Sequence, residues 1–158
     1  MKPLLFIVPL LALSSSISSH ASQIEDDKRE IQRLLDDKDT PYLGPGRSMM
    51  DAYKDTADAM VEKYGEALSE IGMPPNTIRS TTLFTCKDAE NAAQSASSVS
   101  ELELWERAKL SSIADSGSGY KISEAMFLRD ATIRCYKLSK ILYLLDRVIK
   151  NKDNPSKN

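Results

Sequence analysis

Two cysteines, Cys86 and Cys135, and one histidine, His20, are the residues of this 158-residue sequence whose types carry the most specific chemistry. A lone pair of cysteines usually forms a disulfide in an oxidising compartment. Redox-active dithiols typically lie close together in sequence, as in Cys-x-x-Cys, and these two cysteines do not. We therefore predict a structural disulfide, which in the chain-entropy model stabilises the fold by about 4 kcal/mol.

The histidine lies in a segment that we expect to be removed. Lys2 precedes an apolar run from Leu4 to Leu13, and small residues stand three and one positions before a cleavage site after Ala21. This pattern is typical of a secretory signal peptide, residues 1–21. The apolar run is too short for a membrane-spanning helix, which needs about 20 apolar residues. We expect an exported protein, periplasmic if the source is Gram-negative and otherwise secreted, with no integral membrane segment in the mature chain.

Without the histidine, several kinds of catalytic site are excluded from the mature chain. Ser-His-Asp and Cys-His nucleophilic sites cannot be assembled, and two thiols alone cannot fill a tetrahedral zinc site. We predict no metal and no cofactor. Carboxylates remain, and a glycosidase needs two of them, one with a raised pKa. The candidates are Glu62, Glu66, Glu70, Glu101, Glu103 and Glu106.

The charge balance argues against nucleic acid as a partner. The chain has 21 Lys and Arg against 23 Asp and Glu, a formal net charge of −2, whereas nucleic-acid binders usually carry a clear basic stripe. We favour a non-catalytic protein–protein interaction module: an adaptor, an immunity protein or inhibitor, or a secretion-system accessory protein. Its partner would be another protein of the cell envelope or a secreted toxin or effector. The alternative is a small helical envelope enzyme of the cell-wall glycosidase kind.

Five residues are candidate partner contacts: Tyr42, Leu43, Trp105, Arg134 and Lys137. The first two are apolar residues in a polar, Pro- and Gly-rich loop, 37–47, where they either contact a partner or fold back onto the core. The single tryptophan suits an interface anchor as well as a core position. The two basic residues lie on the less apolar side of the last helix, which is either a solvated face or a surface for an anionic partner.

Apolar residues recur at helical spacing along the chain, and no strand pattern is evident, so the sequence predicts an all-α fold. We expect a small bundle of four to five helices in a single domain over residues 22–150, followed by a disordered polar tail, 151–158. The expected helices cover residues 22–35, 49–71, a third segment from 76 or 77, about 100–114, and 122–150.

The small residues near the first cysteine indicate where two helices approach closely. Cys86 shares a helical face with Ala89, Ala93 and Ala96. On the last helix, Cys135 falls in an apolar stripe that continues through Phe127, Ala131, Leu138, Leu142, Leu145 and Ile149. A disulfide requires Cα atoms about 4.4–6.8 Å apart, which small neighbouring side chains allow. We therefore predict that the disulfide joins the third helix to the last.

Overall fold

The structure is a computed structural model that describes residues 7–116 and 119–154, with side chains from residue 20 onward. Within these residues the chain forms five α-helices and no β-strand, which confirms the predicted fold class. The helices are α1 (Ile7–Leu35), α2 (Met49–Ser69), α3 (Pro75–Ser95), α4 (Val99–Asp115) and α5 (Ile122–Asp153).

The chain divides into two compact units, where the sequence suggested one helical domain over 22–150. The larger unit comprises residues 34–143: the end of α1, the whole of α2, α3 and α4, and most of α5. The smaller unit comprises the chain up to Arg33 together with the chain from Leu144 onward.

In the larger unit, α2 begins at Met49, where the sequence predicts, and ends at Ser69, two residues before the predicted end at 71. The Ser48 hydroxyl accepts a hydrogen bond from the backbone N–H of Asp51 at 3.1 Å, and the Asp51 carboxylate accepts one from the backbone N–H of Ser48 at 2.9 Å. This reciprocal pair is a capping box. At the other end Gly72 adopts a φ of 85°, and the backbone N–H of Met73 donates to the carbonyl of Leu68 at 2.9 Å. A glycine in this left-handed conformation is a common helix stop.

The core of the larger unit is formed where α2 and α5 pack against α3. The apolar stripe of α2 is buried from Tyr53 through Ala57, Met60 and Tyr64 to Leu68. On α3 the small residues Ala89 and Ala93 are buried, as the close contact requires. Cys86 and Cys135 are fully buried and form the predicted disulfide between α3 and α5, with Cα atoms 4.5 Å apart.

The start of α4 differs from the prediction, which placed it at Ser100. The N-cap residue is Ser98, whose hydroxyl accepts from the backbone N–H of Glu101 at 3.3 Å. The Glu101 carboxylate in turn accepts from the backbone N–H of Ser97 at 2.7 Å. Both serines are followed three residues later by a glutamate, so the capping-box pattern fits either one. The helix therefore starts at Val99, one residue before the predicted start, and its N-cap is Ser98 rather than Ser100.

The apolar stripe of α5 follows the prediction only over its first half. Phe127, Ala131, Cys135 and Leu138 are buried. Further along, the buried positions are Ile141 and Leu144, whereas Leu145 and Ile149 are 43% and 58% exposed. Steps of three residues fall short of a full turn of 3.6, so the buried side of the helix rotates about its axis.

The smaller unit contains a buried ion pair. The Asp27 carboxylate, 5% exposed, accepts two hydrogen bonds from the Arg147 guanidinium, at 2.8 and 2.7 Å. Ile31 and Leu144 are buried in the same unit. A bidentate guanidinium–carboxylate pair is the geometry that best compensates a buried charge.

Parts of the two predicted end segments lie outside the described residues. These are residues 1–6 of the predicted signal peptide and 155–158 of the predicted tail. The backbone of α1 is helical across the predicted cleavage site, and α5 continues to Asp153, with Asn151 buried. Among residues 7–116 and 119–154, no helix is both long enough and apolar enough to span a bilayer.

Candidate functional site

Arg134, a candidate partner contact, lies in an internal network of charges. Its Nε donates to Asp130 Oδ1 at 2.8 Å, and its Nη2 lies 3.6 Å from Asp39 Oδ1. Lys63 and the Tyr64 hydroxyl donate to Asp130 Oδ2 at 2.8 and 2.7 Å. Burial alone would raise the pKa of the Asp130 carboxyl, but hydrogen bonds from Arg134, Lys63 and Tyr64 outweigh it and lower this pKa to about 2. The network connects α2, α5 and the loop before α2.

Lys137 is also engaged within the larger unit. Its Nζ lies 2.7 Å from Asp37 Oδ2, and both side chains are 24% exposed. Asp37 further accepts a hydrogen bond from the backbone N–H of Asp39 at 2.9 Å. The two basic residues that the sequence offered as an anionic partner surface therefore fasten the loop after α1 to α5.

Of the two apolar candidate contacts in the loop, one packs against the core and the other lies on the surface. Leu43 is half-buried and packs against the cluster that contains the disulfide. Tyr42 is 69% exposed, and its ring lies over Gly44, where a Cβ would overlap it. One of the two apolar loop residues thus folds back, and the other is displayed to solvent.

Trp105 bridges two core clusters of the larger unit. It is half-buried and contacts the cluster around the disulfide and a second one around Leu102. Its indole N–H donates to Asp88 at 3.2 Å, and Lys109 Nζ lies 2.8 Å from the same carboxylate oxygen. The hydrogen bond from Lys109 contributes most to lowering the pKa of Asp88. These contacts give the indole a structural role between α3 and α4.

Among the candidate carboxylates, Glu106 has an unusual environment. Burial raises the pKa of its carboxyl, the nearby charge of Glu103 raises it further, and Lys140 and Lys137 oppose the shift. Glu66 and Glu70, the acidic i,i+4 pair of α2, are exposed. Within the described part of the chain, no group of three or more His, Cys, Asp or Glu side chains could hold a metal ion.

An apolar groove between the end of α4 and the start of α5 is the feature that the sequence did not reveal. Its volume is about 590 Å³. We call it the α4/α5 groove and define it by Leu110, Ile113, Tyr120, Ile122, Met126 and Arg129. Ile122 is 81% exposed, Met126 56% and Tyr120 37%. Large apolar side chains exposed together are typical of an interaction surface.

Among the described residues that line this groove, one side chain is charged. Arg129 is exposed, and no hydrogen bond or ion pair engages its guanidinium within the described part of the chain. On α5 the residues Ile122, Met126 and Arg129 follow at spacings of four and three, so they share one helix face. No Asp or Glu occurs among the described residues of the lining.

A sequence signal for the groove existed but was ambiguous. Ile122 and Met126 are spaced like the neighbouring core stripe that begins at Phe127, and such spacing does not distinguish a buried face from an exposed one. On α4, Ala108 is exposed although it follows the half-buried Trp105 at helical spacing. The short α4 buries only Leu102 completely, so its last turns leave apolar residues open to solvent.

Comparison with protein-family models, with curated proteins and with solved structures gave no significant match to this chain. The fold is therefore established by the helices themselves, and the function has to be inferred from the positions of the side chains.

Proposed function

We propose that the chain is a non-catalytic, exported protein–protein interaction module that binds its partner in the α4/α5 groove. A protein of the cell envelope or a secreted toxin or effector is the kind of partner we expect. The observation that carries the proposal is the joint exposure of Ile122, Met126 and Tyr120 in one concave surface. Such side chains cost free energy in water and stabilise a complex when a partner covers them.

The helices that frame the groove support a protein segment as the occupant. The groove has a volume of about 590 Å³. The groove is framed by two helices, and an amphipathic helix that places its apolar face in such a groove is a recurring mode of peptide recognition. Of the five contacts predicted from the sequence, Arg134 and Lys137 are engaged in ion pairs, and Tyr42 is the most exposed.

Export is supported by two observations. A disulfide connects Cys86 and Cys135, and stable disulfides are characteristic of oxidising compartments. The first 21 residues have the pattern of a signal peptide. A periplasmic or secreted adaptor, immunity protein or secretion-system accessory protein fits both.

The test is an affinity measurement with a purified partner. The exported protein would be used to capture partners from envelope extracts of the producing cells, and each captured protein would be identified, purified and titrated by calorimetry. We expect the double substitution Ile122→Ser, Met126→Ser to weaken binding about tenfold or more, because each apolar side chain that is buried contributes about 1.5–3 kcal/mol.

The matched control is Phe84→Ser on α3, which removes an apolar side chain that is 73% exposed. It should leave the affinity within a factor of about two, as expected for a surface position outside the interface. Equal losses in both variants would contradict the assignment of the groove, and so would a partner whose affinity neither variant changes.

A second candidate function is a carboxylate-dependent envelope enzyme, for which the half-buried Glu106, whose pKa is raised by burial, is the candidate acid. A glycosidase needs such a group as its general acid, with a second carboxylate across the substrate. Release of dye-labelled fragments from peptidoglycan, lost on Glu106→Gln and retained on Glu70→Gln, would support the enzyme. Absence of turnover in the unmodified protein would exclude this substrate.

A further inference from the structure

We infer that the occupant of the α4/α5 groove is an acidic amphipathic helix, whose apolar side chains cover Ile122 and Met126 and whose carboxylate pairs with Arg129. This inference rests on the proposed function, since it specifies the chemistry of the partner at the same groove. It is carried by the combination of an open apolar lining with one unengaged guanidinium.

The spacing on α5 sets the pattern that the partner must present. Ile122, Met126 and Arg129 lie on one face, and the distance from the first to the last along the helix axis is about 10 Å. A helix lying along this face covers the same length with two of its own turns. Its matching residues are therefore two apolar side chains three or four positions apart and an Asp or Glu a further three or four positions away. The acidic residue follows the apolar pair in a helix parallel to α5 and precedes it in an antiparallel one.

The charges around the groove favour an acidic residue in that place. Arg129 lines the groove without an ion pair, and the described lining contains no carboxylate. Arg107, also exposed, lies on α4 one turn before Leu110. Because α4 starts beside Tyr136 and ends beside Ile122, the two helices are antiparallel, and both arginines mark the same end of the groove. A basic partner residue there would be repelled.

The guanidinium of Arg129 also determines how strongly the acidic residue of the partner should contribute to affinity. Guanidinium–carboxylate hydrogen bonds are short, charge-assisted and frequently bidentate. Arg129 lies next to apolar side chains, and a partner that covers it removes water from its guanidinium. If the partner offers no opposite charge, the buried positive charge is uncompensated and binding is weaker. A neutral residue in the partner should therefore be selected against.

The experiment tests which helices bind the groove without assuming the sequence of the partner. A phage-displayed library of randomised amphipathic helices would be selected on the folded, disulfide-bonded protein, with the Ile122→Ser, Met126→Ser variant selected in parallel. We expect enriched helices that carry the apolar pair with Asp or Glu three or four positions to one side of it. A synthetic, fluorescently labelled copy should bind Arg129→Gln about tenfold more weakly or worse than the parent protein, as expected for losing a charge-assisted hydrogen bond.

Two controls make the charge interpretation specific. Arg79→Gln removes an arginine on α3 that pairs with the exposed Asp58 at 3.2 Å, and it should leave peptide affinity unchanged. A peptide with Lys in place of its acidic residue should bind Arg129→Glu better than the parent protein. Circular dichroism would verify that each variant folds.

Three outcomes would overturn the inference. If enriched helices depend on Ile122 and Met126 but not on Arg129, the acidic partner is wrong and the groove function stands. If no helix is enriched on the parent protein relative to the groove variant, both fail. If the protein sediments as a dimer that Met126→Ser dissociates, the occupant of the groove is a second copy of the chain.

Discussion

Asp130 accepts hydrogen bonds from three side chains of the larger unit. Its carboxylate accepts hydrogen bonds from Lys63, Tyr64 and Arg134, and its side chain is 17% exposed. Three donors on one partly buried carboxylate stabilise the charged form and thereby lower its pKa. Removing the charge leaves the Arg134 guanidinium, 11% exposed, with only its longer contact to Asp39.

We predict that Asp130→Asn lowers the free energy of unfolding at pH 5, and that the difference from the parent protein narrows as the pH falls. The folded-state pKa is about 2, below the ordinary value of 3.8, so this stabilisation is fully present above about pH 4. It is lost as the pH falls towards 2, and the loss amounts to about 2 kcal/mol. Urea denaturation of both proteins at pH 5, 3 and 2 measures the difference in their free energy of unfolding.

The matched control for this pH dependence is Asp58→Asn, since Asp58 is 66% exposed and pairs with Arg79 on the surface. Exposed pairs contribute about 0–1 kcal/mol, so this variant should follow the parent protein at every pH. Parallel pH profiles for the parent and Asp130→Asn would contradict the role that we assign to the network.

At the residue scale, the sequence predicted covalent chemistry better than ionic contacts. The pairing of Cys86 with Cys135 followed from there being two thiols and from the expectation of an oxidising compartment. The contacts of Lys137 with Asp37 and of Arg134 with Asp39 could not be predicted, because the two aspartates lie in a loop about 100 residues away in sequence. Composition and spacing do not determine which loop carboxylate reaches which helix.

Helix boundaries show what capping patterns can and cannot decide. Ser48 is the one serine at the start of α2 that matches the capping pattern with Asp51, and the structure has that capping box. At α4 two overlapping serine–glutamate patterns compete, and the side chain used is that of Ser98. The correct start required knowledge of where α3 ends, at Ser95.

We predict that Ser98→Ala and Ser100→Ala differ in stability although they remove the same atom two positions apart. Loss of the N-cap hydroxyl of Ser98 should lower the free energy of unfolding by about 1 kcal/mol. Ser100, exposed within the first turn, should change it by less than about 0.5 kcal/mol. Thermal and urea denaturation of both variants would measure this, and the reverse order would restore the later helix start.

The two sides of the groove illustrate why amphipathic patterns fail to locate binding surfaces. Ile122 and Met126 have the spacing of a core face, and nothing local distinguishes them from Phe127, which is fully buried. Burial depends on whether another helix reaches that turn. Here α4 ends in the turn that leads into α5, so this part of the apolar surface remains open.

At the scale of the whole molecule, the disulfide is the covalent connection between α3 and α5. The two cysteines are separated by 49 residues in sequence, and in the chain-entropy model closing such a loop stabilises by about 4 kcal/mol. Both are fully buried beside Ala89 and Tyr53. The sequence predicted this connection because the small face of α3 and the apolar face of α5 each contain one cysteine.

We predict that the double variant Cys86→Ala, Cys135→Ala unfolds at a markedly lower urea concentration, with a free energy of unfolding about 2–5 kcal/mol below that of the oxidised protein. Far-ultraviolet circular dichroism would follow the helices during unfolding. Dithiothreitol should destabilise the parent protein and leave the double variant unchanged. Identical unfolding curves for all these samples would show that the disulfide does not stabilise the fold.

The central claim, that the α4/α5 groove binds another protein, is tested most directly by photocrosslinking in the producing cells. A benzophenone amino acid would replace Ile122 in one strain and Phe84, a similarly exposed apolar residue of α3, in another. We predict an adduct of one defined mass with another protein from position 122 and none from position 84. No protein adduct from position 122, or the same adducts from both positions, would contradict the claim.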